Sequence, residues 1–174
     1  GDMYADAVRL MDSPDLSAFN IRKEDAKTRD RYGKEPFGQG CLLARRLIER
    51  NVRTVEVSFG GWDTHQNNFT SLPELCHTMD QAVAALLDDL HRLGKLQDTI
   101  VVLTTEFGRT PLINQNVGRD HYPQAFTSVV AGGGFKGGYV YGKTSEGAEE
   151  VIEGAMTIPD FNATIAHGLG IPVD

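Results

Sequence analysis

Three observations predict an α/β fold with helices layered against a mostly parallel sheet. Leu72, Leu75, Met79, Val83, Leu86, Leu90 and Leu93 recur at spacings of three and four, the period of a long helix with one core face. The run "TIVVLTT", 99 to 105, is almost continuously apolar, as in a strand covered by helices on both faces. The elements also alternate, in the order helix, strand, helix, strand, strand, strand, helix, which favours helical layers on a sheet.

Residues 3 to 12 have helical character, and Ser13-Pro14 ends the segment because proline drives the residue before it out of the helical region. "KEDAKTRDRYG" predicts a charged helix closing at Gly33. "GQGCLLARRLIERN" puts Cys41, Leu42, Ala44, Leu47 and Ile48 on one face of an amphipathic helix. "RTVEVSF" alternates and is β-branched, so Thr54 to Phe59 is expected as a strand, broken by Gly60-Gly61. The long helix that follows closes at Gly94. Residues 106 to 123 are polar and irregular, and a loop of that length is usually functional or disordered. "AFTSVVAGG" is a further strand, "GGGFKGG" a glycine-rich turn with Lys136 exposed, and "YVYGKT" a short strand. "TIPDFNATIAHGLG" predicts a closing helix, with Thr157 as its cap, Pro159 in its first turn and Phe161, Ile165 and Leu169 as its inner stripe. A single domain is expected over 1–174, with 1–51 a helical lead-in and 52–174 carrying the sheet core and the polar loops.

Bulk composition excludes some classes. With 40% hydrophobic and 24% charged residues, the 174-residue chain is ordinary for a globular protein. A net charge of -7 gives no reason to expect nucleic acid or an anionic membrane surface as partner. No apolar run approaches the roughly 18 residues a membrane span needs. "GDMYADAVRLMD" lacks the basic and apolar regions of a signal peptide. Gly1 fits a scar of tag removal, and a chain opening inside a helix-like segment fits a fragment of something longer. Cys41 and Cys76 form no CxxC pair; both read as buried free thiols beside apolar neighbours, with a disulfide the alternative.

The residues that can carry chemistry sit in loops next to the expected strands. The first loop, "GGWDTHQNNF", holds Asp63 and His65. The second begins "TTEFGRTP", with Glu106 and Arg109, and ends "GRDHYP", with Arg119, Asp120 and His121. Open α/β sheets bind ligands at the carboxyl ends of their strands. If strands 54–59 and 99–105 are parallel, both deliver their acids to that edge. Carboxylate oxygens and neutral imidazoles suit zinc, manganese or iron. Asp63 and His65 are i and i+2 and can share an ion only if the backbone turns between them, which Gly60-Gly61 makes easy. Arg109 and Arg119 add bidentate donors for a phosphate- or sulfate-like anion. A metal beside guanidinium is what ester hydrolysis at phosphorus or sulfur requires. Each residue also has a structural reading: Asp63 or Thr64 as a helix cap, Glu106 as the ion-pair partner of Arg109, Asp120-His121 as loop hydrogen bonders. His77 and His91 read as helix-surface residues, and His167 as a favourable charge near a helix C-terminus. "GGGFKGG" is not a phosphate loop, since it lacks the GxxxxGK[ST] order and leads to a strand.

The strings "GGWDTHQNNF", "TTEFGRTPLIN", "GRDHYPQAFTSVVAGGGFKGG" and "TIPDFNATIAHGLGI" follow one another as in an uncharacterised bacterial sulfatase-like family, domain of unknown function number 1501. The resemblance covers nearly the whole chain and is densest from 52 to 172. That family looks like part of the alkaline-phosphatase superfamily, which implies a three-layer α/β/α sandwich of which this chain would be the C-terminal part. By the resemblance Asp63 and His65 are the first metal pair, Glu106 stands where a later aspartate would be, and His121 matches the final histidine. Phe107 falls where the superfamily has a further histidine, so one divalent ion rather than two is implied. The superfamily's nucleophile lies in an N-terminal portion, which this chain would lack. The implied activity is hydrolysis of small anionic phosphate or sulfate esters, with Arg109 or Arg119 holding the anion, in an exported or periplasmic protein. The alternative, motivated by Phe107, is a non-catalytic relative that uses the fold for binding or assembly at the cell surface. A cytosolic mutase ranks lower because the Asp-His pair of mutases is absent.

Overall fold

Helices carry most of the ordered structure in this computed structural model, which describes residues 2–173. The fold is mixed α/β, and its described strands pair only antiparallel, two at a time. The chain divides into two compact units.

One unit comprises the residues up to Gly61 together with Glu74–Arg92. It holds α1 (Met3–Met11), α2 (Ala26–Arg31), α3 (Pro36–Glu49) and most of α4 (Asn68–Arg92). Asp25 caps α2 by accepting the Thr28 N–H at 2.8 Å, and Gly33 follows with φ +84°, the conformation that ends helices on glycine. Pro36 opens α3, where its missing N–H costs nothing. Gly38 is required there, because a Cβ would lie 1.9 Å from the Tyr32 carbonyl oxygen. The core gathers Tyr32, Phe37, Cys41 and Leu42 around Ala82 and Ala85 of α4. Small alanines on α4 admit the larger rings at native density. Cys41 is buried as expected, and burial pushes its thiol up to about 11. Cys76 is instead exposed and also free, because its position on α4 lies off the apolar stripe.

The expected strand 54–59 lies in this unit and forms no ladder. Its alternation survives in extended backbone: Val55, Val57 and Phe59 are half-buried while Thr54, Glu56 and Ser58 are exposed. Val57 and Phe59 pack against the core, and Phe59 stacks on Phe37 at 4.5 Å and 16°. Period two therefore reported one-sided burial correctly, but that burial is supplied by helices rather than by a neighbouring strand.

The second unit comprises Trp62–Pro73 and the residues from Leu93 onward. Its ladders are β1 (Ile100–Leu103) with β4 (Val129–Gly132), β2 (Gly108–Arg109) with β3 (His121–Tyr122), and β5 (Lys143–Thr144) with β6 (Val151–Glu153). The parallel pairing expected of 99–105 is thus replaced by an antiparallel one, Ile100 opposite Gly132 and Leu103 opposite Val129. Nor are both faces covered: Val102 and Val129 are exposed, so the apolar run marks a half-covered strand. α5 (Ile158–Gly168) starts with a capping box between Thr157 and Asp160, as its sequence predicts. Its intended stripe is only half-buried, and Leu169 is exposed. The "GGGFKGG" turn carries positive φ at Gly132, Gly133, Gly134 and Gly138, and Lys136 is exposed over the Tyr139 ring. Among the described residues of this unit only Thr64, Asn68 and Gly118 are buried, and all three belong to the loops described next. No described helix is long and apolar enough to cross a membrane.

Candidate metal centre

Residues 62–68 fold into consecutive tight turns, with Thr64 N donating to Trp62 O at 2.9 Å and His65 N to Asp63 O at 3.1 Å. Successive i to i−2 closures of this kind let the i and i+2 side chains meet. Thr64 points inward instead, donating its hydroxyl to buried Asn68 Oδ1 at 2.6 Å just where α4 begins. Thr64 thus anchors the loop to the first residue of α4 through a side chain rather than by accepting a backbone N–H as a cap would, and this coexists with the meeting of Asp63 and His65.

The 106–123 stretch, expected as irregular, is a hairpin. β2 and β3 set Arg109 directly across from His121, and Thr110 N extends the ladder to Asp120 O at 2.9 Å. Directly opposed residues share a face of the ribbon with Cβ atoms about 5 Å apart. Gly108 allows this ribbon to lie close to the following chain, since a Cβ there would be 2.5 Å from Ala125 O.

The hairpin loop is then zipped to the first loop by backbone bonds. Arg119 N donates to Thr64 O at 3.1 Å, Asn67 N to Asn116 O at 3.1 Å and Asn68 N to Val117 O at 3.0 Å. Asn114 is the hub. Its Nδ2 donates to His65 O at 3.0 Å and Asp120 Oδ1 at 2.9 Å, while its Oδ1 accepts from Asn116 N and Gly118 N. Gly118 sits so close that a Cβ would be 2.0 Å from the His65 carbonyl. Sequence reasoning missed Asn114 and Gly118; the only available signal was a polar, turn-forming "NQNVG" between two motif ends.

This framework brings Asp63, His65 and His121 together. Their ligand-type atoms all lie within 4.8 Å of one another. Asp63 Oδ1 is 3.0 Å from His65 Nδ1 and 3.0 Å from His121 Nε2, and Arg109 Nη1 donates to the same oxygen at 2.7 Å. An ion bound at about 2.0–2.2 Å to each ligand keeps ligand atoms roughly 3–4.4 Å apart, so this donor set fits one cation after small adjustments. The His65 and His121 rings are 4.8 Å apart and tilted by 52°, and the Phe107 ring packs 4.5 Å from His121. Arg109 is mostly covered, with its guanidinium carbon 5.9 Å from the Phe107 centroid, whereas Asp63 is 65% exposed. The His121 hydrogen bond, and after it the Arg109 hydrogen bond, hold the Asp63 carboxyl below the usual aspartate range.

The other two candidates lie apart from this cluster. Glu106 is exposed and is not among the clustered ligand atoms. Arg119 spends its guanidinium on the carbonyls of Thr110 and Pro111, at 2.6 and 2.7 Å, and so braces the hairpin loop. His77, His91 and His167 are exposed on their helices, as expected.

Fold and site together define a mixed α/β protein with a two-histidine, one-aspartate cluster under an arginine. The chain belongs to the family described as a protein of unknown function, DUF1501, which matches residues 2–174. No curated protein and no solved structure matches it.

Proposed function

We propose that the full-length protein is a metal-dependent hydrolase of phosphate or sulfate esters, with Asp63, His65 and His121 as ligands of a single divalent ion. The observation that carries the reading is the meeting of three ligand atoms from two separate loops within 4.8 Å. A zinc- or manganese-like ion would supply Lewis-acid polarisation of an ester oxygen and activation of a nucleophile. Asp63 contributes the negative charge of the donor set, and the two imidazoles contribute neutral ligands. Arg109 contributes the fixed positive charge that an anionic ester and its transition state need. Glu106 lies outside the clustered ligand atoms and is not assigned to the ion. The half-exposed imidazoles leave room for a small substrate. The Thr64 hydroxyl is buried on Asn68 and is not available to the cluster as a nucleophile. An alkaline-phosphatase-like three-layer α/β/α architecture and an exported or periplasmic location belong to the same reading, supported by motif order alone.

A second reading is a non-catalytic binding or cell-surface assembly protein. The packing of Phe107 against His121 favours it, because an apolar ring occupies the flank where another ligand would be needed for a second ion. A panel of phosphate and sulfate monoesters, offered to metal-loaded full-length protein, separates the two. The hydrolase reading expects turnover that a chelator abolishes and added metal restores. Absence of turnover, with stoichiometric metal bound, leaves the binding reading; absence of bound metal removes the first reading altogether.

A further inference from the structure

We propose that Arg109 is a latch displaced by the metal ion, so that the cation site and the free guanidinium are mutually dependent. This rests on the metal reading of the cluster and adds to it a regulation. The motivating geometry is the crowding of one atom: Asp63 Oδ1 faces Arg109 Nη1 at 2.7 Å, His121 Nε2 at 3.0 Å and His65 Nδ1 at 3.0 Å. A carboxylate oxygen offers two lone pairs; the Arg109 and His121 hydrogen bonds take both, with His65 Nδ1 crowded beside them, so an arriving cation must displace a donor.

The three nitrogens differ in what they can do when a cation arrives. An imidazole presents a lone pair from the same nitrogen once its proton sits on the other ring nitrogen. A guanidinium has no lone pair to offer and keeps its charge throughout the accessible pH range. It therefore cannot become a ligand, and a divalent ion bound to Oδ1 would stand within a few ångströms of a fixed positive charge. The guanidinium leaves Oδ1, with the Phe107 ring 5.9 Å away as a neighbouring surface to rest on. Once freed, it is available to an anion. Metal thereby prepares the anion arm, and Arg109 in turn weakens metal binding by the same coupling.

The sign of the effect distinguishes a latch from a positioning arginine. Full-length Arg109→Gln should bind zinc about two- to five-fold more tightly than the wild type, the range expected for release of a partly exposed ion pair. A positioning role predicts weaker binding instead. In the wild type, labelling by an arginine-selective dicarbonyl, mapped by peptide mass spectrometry, should speed up at Arg109 when zinc is added. Arg119 should not respond, since carbonyls rather than the carboxylate hold it. Equal or weaker zinc affinity in the variant, or slower labelling of Arg109 with zinc, overturns the latch while leaving the metal site standing. If neither protein binds zinc by elemental analysis, the site reading falls and takes the latch with it. Should Arg109→Gln fail to fold, the wild-type labelling alone decides.

Discussion

Gly118→Ala tests whether the pairing of the two loops makes the cluster. A Cβ at this position would lie 2.0 Å from both the carbonyl carbon and the oxygen of His65, and 2.4 Å from Gln66 N. These are backbone atoms, so no side chain can swing aside. Ordinary contact begins at 3.4 Å; the difference, 3.4 minus 2.0, asks the loops to part by roughly 1.4 Å. The bonds from Arg119 N to Thr64 O, 3.1 Å, and from Asn114 Nδ2 to His65 O, 3.0 Å, span that gap. A shift of this size takes both beyond hydrogen-bonding length. Two such bonds at about 1 kcal/mol each, with about 1–3 kcal/mol for overpacking, put the cost near 3–5 kcal/mol. For a chain of this size that is a fall in melting temperature of about 6–20 °C. His65 moves with its backbone, so zinc affinity should drop by about 10–100-fold, the range for lost support behind a ligand. Calorimetric melting and zinc titration of the full-length variant read both numbers. A variant with wild-type melting and wild-type zinc affinity would refute the claim that this contact sets the ligand geometry.

Other outcomes follow from the same contacts. His65→Ala and His121→Ala should each lower zinc affinity by at least about 100-fold, whereas Glu106→Gln, outside the cluster, should leave it unchanged; elemental analysis after dialysis reads all three. Asn114→Ala removes a donor from His65 O and the acceptor for two loop amides, and should cost about 2–3 kcal/mol in denaturant unfolding. The Asp63 carboxyl, held low first by His121 and then by Arg109, should titrate by carbon NMR below the ordinary value of about 3.9. The sign is that of a depressed acid: its contacts contribute fully above the unfolded-state value and are lost only as pH falls through the lower folded-state one. Arg109→Gln should move that midpoint upward. Asp89→Ala leaves the buried Tyr32 hydroxyl without its acceptor, while Arg31 keeps Asp88 and Arg45 keeps Glu24 and Glu49, and should cost about 1–3 kcal/mol in the same unfolding assay.

Helices were legible in the sequence because their signals are local. The cap at Thr157, Pro159 in the first turn of α5, and the glycines at 33 and 94 act within a few residues of themselves. Strand partners were not, because pairing depends on distant chain. "TIVVLTT" told its apolarity but not that an antiparallel neighbour would leave Val102 exposed. The three clustered residues, Asp63, His65 and His121, were nameable because acids and imidazoles carry the chemistry in their type. Their support was not: an asparagine hub and a glycine pressed against a carbonyl look like any loop until the loops are in contact. Arg119 shows the converse, a residue type suited to anions whose Nη1 is turned to backbone carbonyls.

Charge placement explains why a cation should compete at Asp63 and not at the larger ion cluster of the first unit. There, Asp89 is 3% exposed and is shared by Arg31, Arg92, Arg45 and the Tyr32 hydroxyl, while Glu24 pairs with Arg45 and Arg46. A cation there would have to push aside several guanidiniums that already compensate a carboxylate almost out of water, so these partners are not exchangeable at small cost. Asp63 is open to solvent, and its nitrogen partners include two imidazoles that can serve a metal as well as they serve a carboxylate. Exchange at this site needs only one group, Arg109, to move. Both clusters set aspartate against arginine; burial makes one a fixture, while exposure and two imidazoles leave the other free to trade a guanidinium for an ion.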